Sequence, residues 1–176
     1  MPELSRAAPA LALSLLALAA CEAAPEPTRE PASSAPTPAA APAKPELVRP
    51  PKDMVSGRVW VASELQRAST EGRRTIVYVG ATWCEPCKAF HDAVVAGKLD
   101  KDLANVRFLE LDYDEHEAAL AEGDLGCSSK LVPLFAVPTE DGRCGDRRHE
   151  GAIKGDGAVA FIVPRLKALL ERRAGP

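Results

Sequence analysis

Two cysteines three positions apart, Cys84 and Cys87, sit in the run Trp83-Cys84-Glu85-Pro86-Cys87-Lys88, soon after the stretch Thr75-Ile76-Val77-Tyr78-Val79-Gly80. Apolar, β-branched and aromatic side chains at successive positions of that stretch predict a strand covered on both faces. From Cys84 to Val95 a helix is expected, with Phe90, Val94 and Val95 on one side. The pair therefore falls where a helix begins. Unpaired amide protons and the positive end of the helix dipole favour a thiolate on Cys84, and the thiolate is the nucleophile of disulfide exchange. Cys87, one turn further on, is within reach of a disulfide. Pro86 suits the first turn, where its missing amide proton costs nothing. Glu85 opposes the thiolate modestly by like charge. Such chemistry needs the Cys84 sulfur to be reachable.

The same spacing also suits half of a zinc site or a structural loop. Zinc needs two more ligands, and Cys127 and Cys144 lack the close spacing of a second knuckle. His91, on the helix of Cys87, reads as a surface or packing residue. No metal and no cofactor are expected. Cys127 and Cys144 themselves read as a disulfide bracing the loop between them, with a second redox pair as the alternative.

The elements that must position these residues follow from pattern. Arg58-Val59-Trp60-Val61 reads as a short strand. Ser63-Glu64-Leu65-Gln66 has capping-box spacing and predicts a short helix to about Thr70. Val106–Leu111 predicts a strand, Glu115–Ala121 a helix, and Leu131–Val137 a strand with Pro133 near its start. A turn at Glu140-Asp141-Gly142 sends a return strand to about His149. Gly157–Arg173 carries apolar residues at helical spacing, with Arg172 and Arg173 at its end and Pro164 predicting a kink or a late start. The order β-α-β-α-β-α-β-β-α indicates an α/β mixed sheet covered on both faces.

With these pieces together the chain resembles the thioredoxin superfamily from about Val55 to Leu170. The likeness is carried by Trp83-Cys84-Glu85-Pro86-Cys87-Lys88 after its strand and by Val132-Pro133 before the strand Leu134–Val137. It implies a thioredoxin fold, with Cys84 and Cys87 catalytic and Trp83, Val132 and Pro133 at the substrate. It also implies a cis peptide at Pro133, which would lie against Cys84, and a Val132 backbone that pairs beside the substrate disulfide. A proline near the start of an interior strand needs a special reason, and a cis turn is one. Glu85-Pro86 between the cysteines looks like the membrane-tethered cytochrome-maturation reductases of the ResA and TlpA type. The stretch from Cys87 to Pro133 is too short for their extra strand and helix. That spacing, Cys87-Lys88-Ala89-Phe90 and the charged Lys98–Leu103 segment look more like the carboxy-terminal domain of the thiol:disulfide interchange protein DsbD. One position departs from the family: many thioredoxins carry a buried acid in the second strand that helps deprotonate the resolving cysteine, and here that place holds Tyr78. Tyr78 reads first as an ordinary core aromatic.

The amino terminus points to export. Ala7–Ala20 is an apolar run shorter than the roughly 20 residues a bilayer span requires, and it suits the hydrophobic region of a signal peptide. Leu18-Ala19-Ala20-Cys21 resembles the bacterial lipobox, in which the cysteine is diacylated; an ordinary signal followed by an unrelated cysteine is the plainer alternative. Residues 1–20 thus read as a signal peptide. Glu22–Lys52 holds nine prolines and eight alanines in thirty-one residues, so residues 21–52 are expected to be a lipidated cysteine and a disordered tether. The folded domain is then expected at 53–176.

A length of 176 residues suits one domain with appendages. A net charge of −3, with no basic run interleaved with aromatics, argues against a nucleic-acid partner. The reading that results is an extracytoplasmic, lipid-anchored thiol–disulfide oxidoreductase, periplasm-facing in a Gram-negative envelope. Its partners would be disulfide-containing envelope proteins and a membrane thiol electron donor. The alternative is a non-catalytic binding module of the same fold, with a structural Cys84–Cys87 disulfide.

Overall fold

The computed structural model describes residues 41–171. Cys21, the expected signal peptide, the expected tether up to residue 40 and the expected Arg172-Arg173 helix end lie outside the described residues. In chain order the elements are β1 (Glu46–Val48), α1 (Gly57–Thr70), β2 (Arg74–Gly80), α2 (Glu85–Val95), β3 (Val106–Asp112), α3 (Glu117–Leu120), β4 (Leu134–Pro138), β5 (Cys144–Glu150) and α4 (Ala158–Glu171). The strands form one mixed sheet in the order β1-β3-β2-β4-β5. β1 and β2 both run parallel to β3, while β4 is antiparallel to β2 and to β5. This is the thioredoxin fold.

Strand periodicity divides the core in two, because successive side chains leave a strand on opposite faces. Ile76, Tyr78, Phe108 and Phe135 meet Phe90 and Val94 of α2 and Ile162 and Leu166 of α4. Val77, Val79, Leu109, Leu111 and Leu134 meet Trp60 and Val61 of α1 and Leu120 at the end of α3 on the other face. β2 is buried on both faces from Thr75 to Gly80, which explains its unbroken apolar run. Pro164 lies inside α4, which starts before it rather than at it.

Two sequence expectations are corrected. Residues 46–48, expected within the disordered tether, form the edge strand of the sheet, with Glu46 opposite Arg107, Leu47 opposite Phe108 and Val48 opposite Leu109. The domain therefore starts ahead of residue 53. Ala43 and Asn105 exchange bonds, the Ala43 amide to Oδ1 at 2.7 Å and the Asn105 amide to the Ala43 carbonyl at 2.8 Å. Glu46 accepts from the buried Arg107, and Leu47 and Val48 pack against opposite cores. The four residues between Pro45 and Pro50 are too few to register as periodicity, yet side-chain anchoring is enough to hold the strand.

The second correction concerns Arg58–Val61, which is helical and not a strand. Trp60, Val61, Glu64 and Ala68 are buried on one side of α1, whereas Val59 is exposed. The cap is Ser56, not Ser63, whose hydroxyl donates to the Trp60 carbonyl at 2.7 Å. Gly142 has φ +86 and lets the β4–β5 turn close on α1: a Cβ there would stand 2.2 Å from the Arg58 carbonyl oxygen.

The start of α1 is held from a distant loop. Asp124 accepts from the Ser56 hydroxyl at 2.8 Å and from the amides of Gly57 and Arg58 at 2.7 and 3.0 Å. Burial opposes its ionisation, but the bonds from Arg58, Ser56 and Gly57 outweigh it and hold the carboxyl below the ordinary range. A depressed carboxyl stabilises the fold above its unfolded pKa and loses that contribution as pH falls through the folded value. Asp124→Ala is therefore expected to cost about 1–2 kcal/mol in urea denaturation at neutral pH. The gap to the parent should close on acidification below about pH 4.

Candidate active site

Cys84 is the N-cap of α2, with extended backbone, and its Sγ accepts from the Cys87 amide at 3.3 Å. The two cysteines form a disulfide with Cα atoms 5.2 Å apart. Any charge left on Cys84 after reduction thus faces the free amide of the first turn. Glu85 is the first helical residue, and its Oε1 accepts from the Gly155 amide at 2.9 Å. That bond ties the residue between the cysteines to the loop ahead of α4. Pro86 is buried in the first turn, and Lys88 is exposed.

The two substrate-side features expected of the sequence flank this pair. The Val132–Pro133 peptide is cis. Val132 packs against Ala81, Cys84 and Cys87. It is brought there because β4 begins at Leu134, opposite Val79 near the end of β2. Trp83 is 63% exposed, its indole N–H donates to Asp114 at 2.8 Å, and its ring stands edge-on to Tyr113. It offers an apolar face beside the disulfide.

The expectation of a reachable sulfur is not met in the disulfide form. Cys84 is 3% exposed and Cys87 2%. The cross-link draws the Cys84 side chain against Cys87, and Ala81 and Val132 pack against the pair. An incoming thiol must displace that cover.

Cys127 and Cys144 form a second disulfide, with Cα atoms 5.3 Å apart. Both are buried in the core beneath α1, with Trp60, Val61 and Leu125. The Cys127 amide bonds to the Leu120 carbonyl and the Cys144 amide to the Leu125 carbonyl, so both ends of the cross-link are also held by backbone. The loop that delivers Val132 starts from this brace.

Sequence reasoning placed Tyr78 in the core, where it lies, but passed over the other groups on the floor of the site. The buried Tyr78 hydroxyl donates to the Cys87 carbonyl at 3.1 Å, and its ring stacks on Phe135. Burial, with a smaller contribution from the charge of Glu110, pushes the phenol well above its ordinary pKa, so Tyr78 stays protonated and is no base. Gly80 leaves the room this needs, since a Cβ there would lie 2.8 Å from the Tyr78 oxygen. Beside Tyr78 opens a cleft of about 280 Å³, lined by Cys87, His91, Glu110 and Arg49 among others. Glu110 accepts from Arg49 at 2.7 Å, and His91 Nε2 is 3.7 Å from its other oxygen. The signal was present as a Glu between Leu109 and Leu111 in β3, but its meaning depends on register with β2. Among the described residues no three His, Cys, Asp or Glu side chains converge as a metal site.

A family model described as Thioredoxin-like matches residues 53–138, which take in the Cys84–Cys87 run and the Val132–Pro133 bend. Thioredoxin Asp f 28 of Aspergillus fumigatus is 30% identical over 87 residues, 49% of this chain and 74% of the relative. Among solved structures the chain is similar to thioredoxin f from spinach chloroplast, at 21% identity and TM-score 0.45, over 72% of this chain and 84% of the other. It is similar also to a mutant thioredoxin from Halobacterium salinarum, at 20% identity and TM-score 0.44, over 78% and 98% of the two chains.

The buried second disulfide closes a sequence separation of 17 residues. Replacing both partners, Cys127→Ser with Cys144→Ser, is expected to lower unfolding free energy by about 3 kcal/mol. Equilibrium urea denaturation of the double variant against the parent checks this.

Proposed function

This chain belongs to the thioredoxin-like family, and on that premise we propose that it is an extracytoplasmic, membrane-anchored thiol–disulfide oxidoreductase that reduces or exchanges disulfides in envelope proteins. The observation that carries the proposal is Cys84 as the cap of α2, disulfide-bonded to Cys87 and packed against the Val132–Pro133 bend. A thiolate at a helix start is stabilised and nucleophilic. Reduced Cys84 attacks one sulfur of a substrate disulfide, and the other substrate sulfur leaves as a thiolate that takes a proton from water. Cys87 then gives up its proton and attacks the Cys84 sulfur, freeing the second substrate thiol and restoring the Cys84–Cys87 bond. Two electrons have passed to the substrate. A membrane thiol carrier returns them to the pair.

The direction itself is set by the reduction potential of the pair, while Glu85 supports reduction or exchange. Its like charge disfavours a very acidic Cys84, and a less acidic thiol makes a reductant or exchanger rather than a strong oxidant. Export and anchoring are supported by the lipobox-like Leu18–Cys21 and the proline-rich segment behind it. The Glu85-Pro86 dipeptide supports a task like that of the ResA and TlpA reductases, and the spacing from Cys87 to Pro133 one like that of the DsbD carboxy-terminal domain.

Burial of both sulfurs favours a second reading, a non-catalytic binding module in which the Cys84–Cys87 bond is a staple. The two differ in turnover. In an insulin-reduction assay with a dithiol as electron source, the proposal expects activity that falls to background in Cys84→Ser. Cys87→Ser should instead accumulate the mixed disulfide. Full turnover in Cys84→Ser would reject the proposal, and an inactive parent whose disulfide resists the dithiol would establish the second reading.

A further inference from the structure

The attack of Cys87 on the mixed disulfide requires its thiol proton to leave, and Cys87 is 2% exposed. Tyr78, whose hydroxyl is bound to the Cys87 carbonyl, holds its own proton and cannot take another. One opening reaches Cys87 from the side of β3, the cleft of about 280 Å³ described above. That volume accommodates several water molecules.

Glu110 belongs to this cleft by construction. In the parallel pairing of β2 and β3 it stands directly beside Tyr78, on the face that α2 covers. Its side chain is 12% exposed and is gripped by Arg49, from the segment that follows β1. A carboxylate so held keeps one oxygen committed to the guanidinium and turns the other toward His91. We propose that Glu110 is the proton acceptor for Cys87: the thiol proton passes through cleft water to the Glu110 carboxylate as the Cys87 sulfur bonds to the Cys84 sulfur. The substrate thiolate leaves with the electron pair of the broken bond and is protonated by solvent. Glu110 later returns its proton to water. This deepens the oxidoreductase reading and rests on it.

Every element around the carboxylate contributes a charged or titratable group. α2 presents Lys88, His91 and Asp92, β2 presents Tyr78, and β3 adds Asp112. Glu115 and His116 come from the approach to α3, and Arg49 is the counter-ion. The pH dependence of the wild type is therefore a property of this set. Assigning a role to Glu110 takes a comparison with a variant that removes its charge alone.

Charge and proton acceptance make opposite predictions, which makes the test sharp. Glu110→Gln removes a negative charge near Cys87, so the thiolate becomes easier to form. In a Cys84→Ser background, alkylation of Cys87 should accordingly shift to lower pH. Were Glu110 only a charge, resolution of the mixed disulfide would then speed up.

As a proton acceptor its loss must slow that step, by about tenfold or more at pH 7. The reduced protein is mixed with glutathione disulfide, quenched in acid at intervals, and the mixed disulfide followed by mass. The expected result is a normal first step in Glu110→Gln, accumulation of the mixed disulfide, and a deficit that closes toward about pH 9 as solvent base takes over. Glu110→Asp, which keeps a carboxylate, should recover most of the rate. Unchanged or faster resolution, or slowing by one factor at every pH, would overturn the proposal. Failure of the parent to form any mixed disulfide would overturn the oxidoreductase reading beneath it and this proposal as well.

Discussion

Pairing of β2 with a neighbour on each side is the constraint from which the site is built. Val79 opposite Leu134 places the start of β4, and hence the Val132–Pro133 bend, next to the sulfurs. Tyr78 opposite Glu110 places a carboxylate in the cleft that Cys87 also lines. A strand at the sheet edge could bring only one of these. The double burial that makes β2 an apolar run is thus the same fact that lets two loops and a helix converge where it ends. Gly80 completes the junction, because any side chain there would push against the Tyr78 hydroxyl.

The junction also balances two opposed demands. A thiolate on Cys84 is favoured by the open amides of α2, while reaction requires a path for another sulfur. In the disulfide form Ala81 and Val132 pack against that path. Covering an apolar disulfide is favourable, and Val132 belongs to the loop that the Cys127–Cys144 bond braces from its far end. The cover is therefore a short segment between two fixed points, the buried second disulfide and the start of β4. Glu85, exposed but tied to the Gly155 amide, links the other rim of the site to the start of α4.

What could be read from the sequence was what short-range pattern encodes. β2 announced itself by five consecutive strand-forming residues, Thr75 to Val79, α2 by its apolar side, and the β4–β5 hairpin by Glu140-Asp141-Gly142. β1 was hidden because a three-residue strand between Pro45 and Arg49 has no periodicity, and what holds it is a buried arginine 61 residues away from Glu46. α1 was misread because Val59-Trp60-Val61 has strand composition. Its helical state is fixed by Ser56 and by Asp124, which no local window contains. The floor of the site was illegible for the same reason: Glu110 is an ordinary surface-type residue until β2 and β3 are set in register. The predicted order of elements matches the observed one, although its first strand was assigned to residues that are helical. The true first strand lay in the segment taken for tether.

Disulfide exchange at this site requires Cys84 to become a stabilised and accessible thiolate once its bond to Cys87 is broken. The pH dependence of its alkylation rate, measured on reduced protein carrying Cys87→Ser, reads both properties together. A rapid reaction with a midpoint clearly below the ordinary cysteine value of about 8.5 is the expected result. A slow reaction, or a midpoint at or above that value, would mean that the start of α2 does not activate this sulfur, and would contradict the account.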